Sequence, residues 1–215
     1  MKSKVFFSSE ITAEKVVELF HAAANDLPGG ILPGKVAVKL HSGEPGNQNF
    51  LKPEFWQPIV NYVHGTVVEC NTAYDGGRNT TEKHRETMEK HGWSKHFTVD
   101  IMDAEGETEL PVTGGKHLTR DIVGKNYLNY DFTIILSHFK GHAMGGFGGA
   151  IKNMSIGIAS SNGKRLIHSA GTSTTSWGNP AQDDFLESMA EAAKAVADHC
   201  GDRILYISCL LYTSP

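Results

Sequence analysis

An α/β fold with a mostly parallel sheet flanked by helices, in Rossmann-like layers, follows from three features of this sequence. Strand-like and helix-like segments alternate along the chain. The strand-like segments are short and largely apolar, as in Thr66-Val-Val-Glu-Cys70 and Phe132-Thr-Ile-Ile-Leu136, which suits strands covered on both faces. The longest periodic segment runs from Pro180 to Cys200, with apolar residues at 185, 186, 189, 192, 193, 196 and 197 on one helical face. Right-handed crossovers join parallel strands of this kind.

The elements follow in order. Residues 4–8 read as a short strand, and a helix starts after Thr12, with Val16, Phe20, Ala23, Ala24 and Leu27 at helical spacing. Pro28 to Gly30 and Pro33-Gly34 break it. Residues 35–40 form a second strand, and 53–63 a second helix with proline in its first turn. A third strand covers 66–70, and a charged helix covers 80–91, closed by Gly92. Residues 97–101 and 109–112 read as short strands around a turn at 104–106. After the strand 132–136, Leu166-Ile-His168 reads as another short strand. The long helix takes Asn179 as its cap and Pro180 as its first residue. Residues 203–208 form a last strand inside the sheet.

Composition narrows the function classes. The length of 215 residues fits one domain, assigned to 1–208, and buries roughly 70% of the unfolded surface. A net charge of −4 offers no basic footprint for nucleic acid. The apolar runs fall far short of the ~20 residues of a membrane helix, and Met1 to Phe7 is too short for a signal peptide. A cytoplasmic protein is therefore expected, with neither nucleic acid nor membrane as partner. Cys70, Cys200 and Cys209 stand far apart with no C-x-x-C pair. A four-iron cluster takes four thiolates, more than this chain supplies.

The segment with most chemistry is 137–153, Ser-His-Phe-Lys-Gly-His-Ala-Met-Gly-Gly-Phe-Gly-Gly-Ala-Ile-Lys-Asn. Gly145, Gly146, Gly148 and Gly149 let backbone amides come close to a ligand and allow at least one positive φ. His138, Lys140, His142 and Lys152 are interleaved with them, a set suited to an anion or a metal. Neither the dinucleotide pattern nor the phosphate-loop pattern is met, because Ile151 and Phe147 stand where a glycine and a lysine are required. Ligands of open α/β sheets bind beyond the carboxyl ends of the strands. Two further strand ends deliver His41, Ser42, Glu44 and Asn47, and Cys70, Asn71, Tyr74, Asp75 and Arg78. Arg78 suits a bidentate clamp on a carboxylate or phosphate. Convergence of these ends predicts a site for a small anionic molecule, with Gly145, Gly146, Gly148, Gly149, Lys140, His41, Glu44, Asn71 and Arg78 binding and His138, His142 and Lys152 reacting. A metal held by His138 and His142 with His41 or Glu44 is the alternative use of the same residues. His84, His91, His96 and His117 read as surface residues, and Cys70 as a buried strand cysteine.

The glycine loop, together with Val38-Lys-Leu-His-Ser-Gly-Glu-Pro-Gly-Asn47 and Val68-Glu-Cys-Asn-Thr-Ala-Tyr-Asp-Gly-Gly-Arg78, resembles the family of domains of unknown function numbered 362. Members are often described as iron–sulphur-centre proteins. The resemblance implies a redox protein whose cluster is carried on further sequence or on a partner. It also implies that relatives continue beyond Ser208 with a Cys- and Asp-rich segment, so 209–215 is expected to be a non-native tail of a truncated chain that packs against nothing. A more distant resemblance links the run from Gly145 to Lys152 to a glycine-rich loop of nickel-pincer lactate racemases. It implies a racemase- or isomerase-like enzyme in which His138 or His142 moves a proton or hydride on a hydroxy acid. A binding domain without catalysis is the third expectation.

Overall fold

The computed structural model describes residues 4–27, 30 and 34–210. The expected breaks at Pro28-Gly29 and Pro33, and positions 211–215 of the expected tail, lie outside these residues. The central sheet has five parallel strands: β1 (Val36–Lys39), β2 (Thr66–Glu69), β3 (Val99–Ile101), β6 (Phe132–His138) and β9 (Ile204–Cys209), in the order β3-β2-β1-β6-β9. Between β3 and β6 the chain forms the antiparallel pair β4 (Glu107–Pro111) and β5 (Arg120–Gly124), with a 3-10 turn at Lys125–Asn129. The glycine loop is itself a small hairpin, β7 (Lys140–His142) and β8 (Gly146–Gly148).

Both faces of the sheet are covered. Val36, Val38, Val67, Ile134 and Leu136 point into one core, shared with α1 (Ala13–Asn25), α2 (Pro53–Tyr62), α3 (Thr81–Lys90) and α4 (Trp93–His96). Ala37, Val68 and Ile135 point into the other, beneath α5 (Ala150–Ile158), α6 (Ser161–His168) and α7 (Gln182–Cys200). The alternation follows from successive side chains leaving a strand on opposite faces. Each helical face is built as its sequence requires. On α7, Phe185, Met189, Ala192, Ala193 and Val196 are buried. Thr12 and Thr80 cap α1 and α3, accepting from the amides of Lys15 and Lys83 at 3.2 and 3.3 Å.

Several expectations are corrected. Residues 4–8 form no strand: Val5 and Phe7 are 86% and 83% exposed, and none of the five residues is paired in a sheet. Residues 166–168 are the last turn of α6, because Ser160 caps a helix there, accepting from the Gly163 amide at 3.1 Å. Leu166 and Ile167 are its buried face, not a strand. Helix α7 starts at Gln182, without a side-chain cap from Asn179; Asp183 and Asp184 in its first turn complement the helix dipole instead. The strand expected over 203–208 is present, at the edge of the described sheet beside β6. It continues to Cys209, which is buried and whose carbonyl accepts from the Phe139 amide at 2.8 Å, so this residue of the expected tail does pack.

Candidate functional site

In the order β3-β2-β1-β6-β9 the connections leave β1 and β6 in opposite directions, and a crevice opens at their carboxyl ends. A cavity of about 700 Å³ lies there. The expected convergence occurs: His41 and Glu44 after β1, Arg78 after β2, His138 at the end of β6, and Lys140, His142, Gly148, Gly149 and Lys152 of the glycine segment all line it. Gly145, Gly146 and Asn71 do not. Asn71 is held by the Thr81 hydroxyl at 3.0 Å and His84 at 3.3 Å, behind the wall. Gly146, at φ 70°, opens β8 opposite His142 and is the one positive φ among the four glycines.

The floor is an ion-pair network built on Lys39 and Glu69, two residues not singled out by sequence reasoning, together with the expected Arg78 and Glu44. Lys39 Nζ lies 2.8 Å from Glu69 Oε2, with side chains only 1% and 4% exposed. Glu69 Oε1 accepts from the Ser42 amide at 2.9 Å, the Ser42 hydroxyl at 3.0 Å and Arg78 at 3.4 Å. Burial alone would raise the Glu69 carboxyl, but Lys39 and Arg78 outweigh it and hold it far below the usual carboxylate range. Arg78 also grips Glu44 through Nη2 and Nε, and Tyr74 donates to Glu44 at 2.6 Å. The guanidinium expected to clamp a ligand lines the cavity and engages two carboxylates of the chain. A legible signal existed, since a lysine and a glutamate inside the apolar runs 35–40 and 66–70 are costly unless paired. Gly157 on α5 makes the arrangement sterically feasible, because a Cβ there would lie 2.6 Å from Lys39 Cε.

Above this floor the charge is unbalanced. Five cations, Lys39, Arg78, Lys140, Lys152 and Lys164, line the cavity against two carboxylates, Glu44 and Glu69, which serve Lys39 and Arg78. Lys164 is buried and donates to the Ala159 carbonyl. Lys152 sits in the first turn of α5, and burial with the nearby Lys39, Lys164, Lys140 and Arg78 lowers its amine to about 8. The N-terminus of α5 has glycine at its cap and no side-chain hydrogen bond there, so its first amides are unclaimed beside Gly148 and Gly149.

Three imidazoles on the cavity are kept neutral. Burial and Arg78 lower His41 to about 3. His142 Nδ1 accepts from the amides of Gly145 at 3.0 Å and Met144 at 3.3 Å. An amide only donates, so the proton of this ring is on Nε2. His168, missed in the sequence because its segment reads as a strand, has Nδ1 2.6 Å from the Lys164 carbonyl. A carbonyl only accepts, so Nδ1 carries the proton and Nε2 keeps its lone pair. Burial lowers both rings further. The His168 ring stacks on Phe185 and meets Trp177 edge-on, 4.9 and 5.0 Å between centroids.

His138, His142, His41 and Glu44, the residues of the alternative metal reading, line the same cavity. The one cluster of metal-ligand type among the described residues is His117, Asp184 and Glu187, elsewhere on the surface. His84, expected at the surface, is fully buried against Asn71. The thiols do not fit an iron–sulphur centre. Cys70 donates to the Ile158 carbonyl at 3.1 Å, Cys200 meets Tyr127 at 3.1 Å, and Cys209 lies in the core on the other face of the sheet. Burial raises the Cys70 thiol far above its ordinary range.

Residues 36–210 match the family described as domain of unknown function DUF362. The chain belongs to that family. Among solved structures it is similar to the lactate racemase apoprotein from Thermoanaerobacterium thermosaccharolyticum, with TM-score 0.54 and 15% identity over 93% of this chain and 49% of that one. It is also similar to a structural-genomics protein from Thermotoga maritima, with TM-score 0.58 and 13% identity over 97% of this chain and 54% of that one. At these identities the likeness establishes the fold, and the chain spans about half the length of each. No curated protein sequence matches. Among the described residues no helix is long and apolar enough to cross a membrane.

Proposed function

We propose that this DUF362 domain binds a small anionic ligand, a carboxylate or a phosphate, in the cavity between the glycine hairpin, α5 and the ends of β1, β2 and β6, at a site equipped for proton transfer. The observation that carries the reading is Lys152. The charged neighbours that shift its amine most, Lys39, Lys164, Lys140 and Arg78, are all cations. An anion there relieves that repulsion and meets the unclaimed amides at the start of α5. Neutral His142 and His168 supply a hydrogen-bond donor and a base beside it.

Calorimetric titration with inorganic phosphate and with acetate, on the wild type and on Lys152→Met, tests the reading. A charge-assisted hydrogen bond is worth about 1.5–3 kcal/mol, so the variant should bind roughly ten- to a hundredfold more weakly. Its melting temperature should hold or rise, because a cation is removed from among cations. Equal binding by both proteins, or saturable binding by neither, refutes it.

A second reading is a racemase- or isomerase-like enzyme for a hydroxy acid. It is favoured by the fold shared with the lactate racemase apoprotein and by His142 and Lys152 standing on one cavity.

A further inference from the structure

We propose that Lys152 is an amine nucleophile that forms an imine with an anionic carbonyl compound, an oxo acid, bound in the cavity. The inference rests on the anion-site reading and adds the substrate's second functional group. Three features of the geometry support it. The Lys152 ammonium makes no hydrogen bond or ion pair among the described residues, whereas Lys39 and Lys164 on the same cavity are committed to theirs. It stands among cations able to hold a carboxylate, so the carbonyl of a bound oxo acid lies next to the amine. The two imidazoles on the wall have opposite free functions, a donor at His142 Nε2 and a lone pair at His168 Nε2.

The charge environment makes the amine reactive at neutral pH. Burial and the cationic groups of Lys39, Lys164, Lys140 and Arg78 bring it to about 8. About a tenth is then neutral at pH 7, against roughly 0.04% for a lysine with the ordinary value of ~10.4. A desolvated lysine beside other cations is an established means of activating an amine.

The chemistry balances without an oxidant or reductant. The Nζ lone pair attacks the carbonyl carbon, and the π pair moves to the oxygen. The nitrogen gives a proton to His168 Nε2, which passes it to the oxygen while the His142 Nε2–H donates a hydrogen bond to that oxygen, leaving a carbinolamine. The C–O bond then breaks as His168 delivers to the hydroxyl a second proton taken from solvent, water leaves, and the iminium remains. The sum is amine, carbonyl and one proton giving iminium and water.

Reductive trapping tests this on the full chain. The protein is incubated with pyruvate or 2-oxoglutarate, reduced with borohydride, and examined by intact mass and peptide mapping. The expected result is one stable adduct, located at Lys152, at least tenfold above any other lysine. It should be absent from Lys152→Arg, which keeps the charge but not the nucleophile, and its yield should rise with pH to a plateau above about 8. Phosphate should compete with its formation. No adduct with either acid, an adduct spread over several lysines, or one that persists in Lys152→Arg overturns the proposal. If phosphate still binds in a wild type that forms no adduct, the imine alone is refuted; if phosphate fails to bind as well, the anion site falls with it.

Discussion

Replacing Glu69 by glutamine removes one charge and almost no volume, and its cost can be worked out from the cavity floor. The carboxylate is 4% exposed and faces Lys39 at 2.8 Å and Arg78 at 3.4 Å. Glutamine can still accept from Ser42, but Lys39, itself 1% exposed, loses its counter-charge in a place water does not reach. Breaking a buried pair from one side costs about 3–5 kcal/mol. At roughly 2–4 °C per kcal/mol for a domain of this size, the melting temperature should fall by about 6–20 °C. The double variant Glu69→Gln/Lys39→Met leaves no orphaned ammonium and should lose less than Glu69→Gln alone. The pH dependence has a definite sign. The folded carboxyl is held below its unfolded value near 4.5, so its contribution is present above that pH and fades as the pH falls through it. The gap between wild type and variant should therefore close in acid. Thermal melts with urea titrations at several pH values measure all of this. A drop below about 3 °C at neutral pH, or a double variant worse than the single, refutes the reasoning.

Two further outcomes follow from particular residues. Burial raises the fully enclosed Asp121 carboxyl to about 7, with Lys164 opposing, so the folded state keeps a proton that the unfolded chain releases near 3.8. Stability from this group should fall as the pH rises from about 4 to about 7, then level off, and Asp121→Asn should lose that slope in urea midpoints. Gly146→Ala meets nothing within 4 Å and pays only for its φ of 70°, about 1–2 kcal/mol, whereas Gly157→Ala drives a methyl to 2.7 Å from Lys39 Nζ and should cost clearly more; the reverse order in thermal melts refutes the packing argument.

Much of the framework is legible in the chain because its causes are local. Alternating apolar runs and capped helices specify a parallel α/β sheet, and Thr12, Thr80 and the apolar stripe of α7 act where their spacing places them. The glycine segment announces a ligand-facing loop through composition alone. The errors are also local in origin: Leu166 and Ile167 are too short an apolar run to separate strand from helix, and the capping hydroxyl of Ser160 decides it.

What the sequence by itself determined is the layered sheet and the set of strand ends that carry polar residues. Which of those residues face one another was decided by tertiary structure. The pairing of Lys39 with Glu69, the withdrawal of Arg78 into Glu44 and Glu69, and the isolation of Lys152 among cations join residues of different elements, up to more than 100 positions apart. The physical reason is that charge balance in a cavity depends on distances through space, and low dielectric surroundings magnify each one. A lysine's position in sequence says that it is a cation; only its neighbours in the fold say whether that charge is already answered.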